Sequence, residues 1–259
     1  MEMPDERENF ILDPLAAYQM GQDLVRDRLS GCDLKDLLPH QKALGRLPHG
    51  KVGDVVYSNL GVDADTFVRK IETHFKGRPL KHIDVDVDIS DFKLVGRIDA
   101  VWEGGQTLTQ YSNVKPKYLL KSWIYHLILS SLIEEKLYDE SYLICKDAAW
   151  KFGSVSESRE MLQSLLGLFW IGMSKPLHFF PESSYTYAVN VLLKRQPKGL
   201  ALKRAKNKWI GSEFTRGESA DPYFERCFGK TDPLDESFQS ITKQIFSPLL
   251  AYGSEVSIA

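Results

Sequence analysis

Carboxylates crowd one stretch of the chain: Asp84, Asp86 and Asp88 alternate with apolar residues, and Asp99 ends the run Val95-Gly96-Arg97-Ile98-Asp99. Carboxylates on neighbouring strands can hold a divalent cation against a phosphate. Spaced by two, however, Asp84, Asp86 and Asp88 share one face of one strand, where they serve most simply as a solvated edge that discourages aggregation. Asp99 alone offers too few oxygens for magnesium, which requires several and gives up water reluctantly. Arg97, on the same strand face, is its expected ion-pair partner.

A second cluster is basic. Lys194, Arg195, Lys198, Lys203, Arg204, Lys206 and Lys208 occur with no acid among them, and Trp209 follows at once. Such a run suits phosphate contacts of salt-dependent, sequence-independent affinity. It suits equally a solvated helix face or a surface for an acidic partner subunit. Trp209 would stack on a base or, more simply, fill a core. His126 has no Ser or Cys partner indicated by sequence and reads as a packed or hydrogen-bonded helix residue. The cysteines, Cys32, Cys145 and Cys227, lack zinc or disulfide spacing and fit a reducing, cytoplasmic compartment. Cys145 lies in an apolar strand and is expected in the core.

The chain of 259 residues is 43% hydrophobic and 26% charged, with a net charge of -2. That is the profile of a globular protein with one large core, or one domain with an extension. The near-zero charge leaves nucleic acid open as a partner, because distribution matters more than the sum. The acidic, polar start is no signal peptide. The longest apolar stretch, residues 119–132, is broken by Lys121, Ser122 and His126, so no membrane span is expected.

The elements that position these residues follow from periodicity. A helix is predicted over 15–29, behind the cap and first-turn proline Asp13-Pro14. Another falls within 53–75, where Phe67, Ile71 and Phe75 recur by four. Strict alternation predicts a strand over 81–89 with Ile83, Val85, Val87 and Ile89 inward. Strands over 92–102 and 106–111, the latter after Gly104-Gly105, complete a meander. Pro116 opens a helix over 117–136 with Leu120, Ile124, Leu127 and Ile128 on its apolar face, and 141–146 is a fourth strand. Helices are expected at 161–170, 185–195, 201–210 and 234–250, the last ended by Pro248 or soon after. The plan is α/β or α+β with one mixed central sheet flanked by helices.

The segment from Gly96 to Asp99, with Gln110-Tyr111-Ser112 after it, resembles the PD-(D/E)xK nucleases, which have a restriction-endonuclease-like core. In their RecB-like branch the pattern is G-x-I-D, then D-Y-K, then a helix bearing Q-x-x-x-Y. On that resemblance Asp99 matches the first metal ligand, Gln110 replaces the second acid, and Ser112 replaces the lysine that orients the attacking water. Lys121 stands at the glutamine of the helix and Tyr125 at its tyrosine. The resemblance thus implies a degenerate active site that holds no metal and no cofactor.

Residues 9–18 (NFILDPLAAY) and 172–183 (GMSKPLHFFPES) are similar to the C-terminal region of the RecC family. So are 122–127 (SWIYHL), 201–206 (ALKRAK) and 216–218 (RGE), all in order along the chain. RecC proteins are several times longer, so the resemblance implies one C-terminal nuclease-like domain over 1–259. Its parts would be a helical segment 1–78, a sheet and core helix 79–155, and a second helical segment 156–259. It further implies a non-catalytic part of a RecBCD-type helicase–nuclease (exodeoxyribonuclease V) in recombinational repair. Its partners would be RecB-like and RecD-like subunits and DNA ends or forked DNA, with no membrane. One alternative is an active, divergent nuclease using Asp99, one of Asp84, Asp86 and Asp88, and Lys115 or Lys121. The other is a pure protein-interaction module.

Overall fold

The computed structural model describes residues 11–75, 81–102, 105–132, 140–229 and 231–257. Among them, 11–75 with 111–113 form one compact unit, and 81–110 with 114–257 form another. Asn9, Phe10, the boundary at 78/79, Gly104 of the expected turn and positions 133–136 of the expected long helix lie outside the described residues.

The first unit is helical: α1 (Pro14–Leu29), α2 (Leu34–Ala43) and α3 (Lys51–Phe75). The Asp13 carboxylate accepts from the Ala16 N–H at 3.1 Å, and Pro14 sits where its missing N–H costs nothing. Met20 and Leu24 of α1 are buried, as are Phe67, Val68 and Ile71 of α3. The Tyr57 hydroxyl donates to the Leu34 carbonyl at 2.6 Å, which ties α2 to α3.

The second unit is built on a six-stranded sheet. Strands β1 (Lys81–Ile89), β2 (Phe92–Trp102) and β3 (Gly105–Gln110) form the meander; α4 (Pro116–Leu132) then crosses over to β4 (Glu140–Cys145), which runs parallel to β3. Gly105 permits that pairing, because a Cβ there would overlap the Glu140 carbonyl. Beyond β4 lies β5 (Ala149–Phe152), followed by α5 (Ser158–Gly172), α6 (Pro181–Ala188), a π-helical turn (Val189–Leu193) and α7 (Lys198–Ile210). A small hairpin, β6 (Gly211–Ser212) and β7 (Thr215–Arg216), leads to α8 (Pro222–Phe228) and α9 (Glu236–Tyr252). The final strand β8 (Gly253–Val256) pairs antiparallel with β5 and completes the sheet order β1-β2-β3-β4-β5-β8.

The structure adds to these expectations and corrects one, the buried face of α4. Strands β5 and β8 were not anticipated, because four residues are too few for alternation to register. Helix α9 continues through Pro248 and ends soon after, at Tyr252, the later of the two ends expected; Phe246, Leu249 and Leu250 bury a face that outweighs the lost hydrogen bond. The buried face of α4 is led by Leu119, Trp123, His126, Leu127 and Leu129, whereas Ile124 is exposed. A helix apolar on most sides gives periodicity no unique stripe.

Candidate nucleic-acid interface

Asp99 occupies an irregular point of β2. The ladder passes from Ile83↔Ile98 to Lys81↔Val101, so the two residues Asp99 and Ala100 form a bulge. Ala100 adopts φ 57°, a left-handed conformation that a side chain accepts only under constraint. Such bulges re-aim a side chain out of the pleat. The Asp99 side chain is exposed and forms no ion pair among the described residues, while its carbonyl accepts from Gln106 Nε2 at 3.1 Å. Arg97 is not its partner: the guanidinium pairs at 2.9 Å with Asp84, directly opposite on β1. Lys93 pairs with Asp86, its diagonal neighbour on β1, at 3.0 Å. The acidic face of β1 is therefore a solvated, cross-strand-paired edge.

Gln110 ends β3 opposite Cys145 of β4. The unit boundary falls directly after it, and Tyr111 is buried in the helical unit with its ring 5.5 Å from that of Phe67, edge to face. Ser112 Oγ donates to the neighbouring Asn113 carbonyl at 3.2 Å. On α4, Lys121 Nζ lies 5.5 Å from the Tyr125 ring centroid, a cation–π pair one turn apart. Among the described residues no three His, Cys, Asp or Glu side chains gather as a metal-holding group.

All seven cations of the basic run are exposed. Lys194 and Arg195 follow the π-helical turn, Arg195 with φ 51°, and the other five lie on α7. Arg204 Nη1 donates to Asn190 Oδ1 at 3.0 Å, and Lys206 pairs with Asp232 at 2.7 Å. Lys206 holds the Asp232 carboxyl below its ordinary pKa. Lys203 and Lys206, neighbours on the helix surface, are thus unequal: Lys203 forms no ion pair among the described residues.

Trp209 is a core residue. It is buried with its ring 4.3 Å from Phe180, in a cluster with Phe224, Phe228 and Phe238. His126 is fully buried against both the Trp123 and Phe152 rings, which also touch each other; Nδ1 lies 2.9 Å from Ser141 Oγ and Nε2 2.9 Å from the Gly153 carbonyl. The sequence did not reveal the Ser141 partner, which comes from β4. Glu218 was quoted only as part of a resemblance, yet it is a remote helix cap. Its carboxylate accepts from the N–H groups of Glu182 and Ser183 at 2.9 and 2.8 Å and from the Ser183 hydroxyl at 2.6 Å.

These features define a mixed α/β protein in which a six-stranded sheet flanked by helices carries the exposed Asp99 on the strand next to the one that ends at Gln110, with a lysine-rich helix in the same unit. The family described as RecC C-terminal domain matches residues 1–191, and the chain belongs to that family. It is 23% identical over 256 residues to the RecBCD enzyme subunit RecC of Escherichia coli (strain K12), covering 94% of this chain and 22% of that protein. The RecBCD enzyme subunit RecC of Mycobacterium tuberculosis (strain CDC 1551 / Oshkosh) is 31% identical over 114 residues, 44% of this chain and 10% of its own length. That of Buchnera aphidicola is 21% identical over 230 residues, 85% of this chain and 21% of its own length. At its widest matches the chain spans about a fifth of the length of these relatives. No helix among the described residues is long and apolar enough to cross a membrane.

Proposed function

We propose that residues 1–259 act as one RecC-type, nuclease-like C-terminal domain that handles DNA and helps assemble a RecBCD-type helicase–nuclease without cutting DNA itself. Its partners are RecB-like and RecD-like subunits and the ends or forks of broken DNA, in the cytoplasm. The observation that carries this reading is the pairing of family membership with Gln110 and Ser112, which replace a carboxylate and a lysine that a PD-(D/E)xK centre requires. The meander, crossover helix and parallel fourth strand support that fold assignment, and the exposed cations of α7 support phosphate contact. An apolar patch supports the assembly role: on α5 and just beyond it Trp170 is 66% and Met173 70% exposed, with Phe169 and Ile171 also open, and Trp170 meets Phe92 at 6.0 Å.

The test incubates the full chain with linear and forked DNA in magnesium or manganese. Salt-sensitive binding of forked DNA without cleavage is expected, weakened by charge reversal at Lys203, Arg204 and Lys206. Metal-dependent cleavage abolished by Asp99→Ala would overturn the non-catalytic reading.

A further inference from the structure

A cleft of about 510 Å³ in the second unit is lined by both Lys115 and Lys117, at the start of α4, by Arg216, at the end of β7, and by Glu182, Glu218 and Asp221. Its acids are committed to the fold. Glu218 caps α6, as described above. Asp221 caps α8 by accepting from the Tyr223 N–H at 2.9 Å. Glu182 is half-buried, and burial followed by the Glu218 carboxylate raises its pKa, against the pull of Lys208, Lys115 and Lys117. The three cations are exposed to solvent, although Arg216 also donates to the Ala220 carbonyl and Lys117 lies 5.0 Å from the Tyr118 ring centroid. Lys208 also bears electrostatically on Glu182, so a fourth cation stands within reach of the same place.

Two exposed aromatic residues adjoin this cleft in sequence. Phe214 is 95% exposed at the turn of the β6–β7 hairpin, whose second strand ends at Arg216. Tyr223 is 80% exposed and sits between the cleft-lining residues Pro222 and Phe224. The hairpin has a built shape: Gly211 takes φ 82°, and a Cβ there would stand 2.3 Å from the Thr215 carbonyl. Open rings beside cations are the features with which proteins hold unpaired bases, whereas a duplex hides its base faces in the stack.

We propose that this cleft binds single-stranded nucleic acid, with phosphates against Lys115, Lys117 and Arg216 and unpaired bases stacked on Phe214 and Tyr223. The proposal rests on the DNA-handling reading and names the strand form and the surface that takes it.

Fluorescence anisotropy of the full chain with labelled oligothymidylate of about 16 nucleotides, beside a blunt duplex of equal length, tests it. The single strand is expected to bind more tightly than the duplex. The double variant Lys115→Glu, Lys117→Glu should weaken it about tenfold and lower the salt slope by about 1.4, two phosphates at roughly 0.7 each. The double variant Phe214→Ala, Tyr223→Ala should weaken it at least about tenfold with the salt slope unchanged. Lys175→Glu, a single charge reversal outside the cleft lining, should leave binding as it was, and melting curves check that each variant is folded. Wild-type affinity in both cleft variants, with forked DNA still sensitive to reversal at Lys203, Arg204 and Lys206, overturns this proposal alone. Loss of binding to an acidic peptide, with oligothymidylate binding intact, would also overturn it in favour of a protein ligand. No binding of any DNA would overturn the DNA-handling reading as well.

Discussion

Tyr111 packs so closely on Gly21 that a Cβ at position 21 would stand 2.3 Å from Tyr111 Cε1. The middle residue of Gln110-Tyr111-Ser112 is thus a core residue of the helical unit, with a packing reason to be aromatic whatever flanks it. Gly21→Ala sets two effects against each other. Helix propensity gains about 1 kcal/mol, while overpacking a buried ring costs about 1–3 kcal/mol. The clash wins, so a net loss near 1 kcal/mol is expected in urea denaturation. A raised denaturation midpoint would show that Tyr111 yields freely.

His126 fastens α4 to the sheet. The Gly153 carbonyl only accepts, so Nε2 donates to it, while Nδ1 shares a hydrogen bond with the Ser141 hydroxyl. His126→Phe keeps an aromatic ring against Trp123 and Phe152 but deprives the buried Ser141 hydroxyl and the half-buried Gly153 carbonyl of their partner, costing about 2–4 kcal/mol. Ser141→Ala removes one hydrogen bond and should cost about 1 kcal/mol. Equal effects of the two substitutions would contradict this pairing.

The Glu182–Glu218 pair sets a pH dependence. Burial first, and then the Glu218 carboxylate, raise the Glu182 pKa, so the folded chain binds that proton more tightly than the unfolded chain. The resulting penalty is absent below the ordinary carboxylate pKa and grows as pH rises through the raised value. Glu182→Gln is expected to raise stability at neutral pH and to flatten the pH profile across that window. Glu218→Ala removes the α6 cap and should cost about 1–2 kcal/mol. A Glu182→Gln profile parallel to wild type would refute the assignment.

Cys145 is buried, and its thiol is pushed up to about 12 by burial and by Asp147. Cys32 and Cys227 are exposed. A thiol-reactive dye should therefore label Cys32 and Cys227 in the native chain and Cys145 only after denaturation. Rapid labelling of Cys145 under native conditions would show that β4 opens.

Lys206 already spends its charge on Asp232, and Lys203 does not. Lys203→Glu should therefore weaken forked-DNA binding more than Lys206→Glu does, by about threefold or more at low salt. Equal effects would mean that the Lys206–Asp232 pair opens at no cost on binding.

Local patterns in the sequence determined much of this protein. The alternation of β1, the Asp13-Pro14 start of α1 and the helix over most of the basic run depend on residue type and on spacing within one element. Tertiary structure alone decided the partners. Arg97 meets Asp84 because register sets cross-strand neighbours, while the bulge at Asp99 and Ala100 breaks the period on which the Arg97–Asp99 expectation relied. Tyr111 against Gly21, Ser141 at His126 and Glu218 on α6 each join residues distant in sequence, as does the gathering of Lys115, Lys117 and Arg216 at one cleft. No periodicity within a single element encodes a contact between two elements, so these relationships became legible only once the chain had folded.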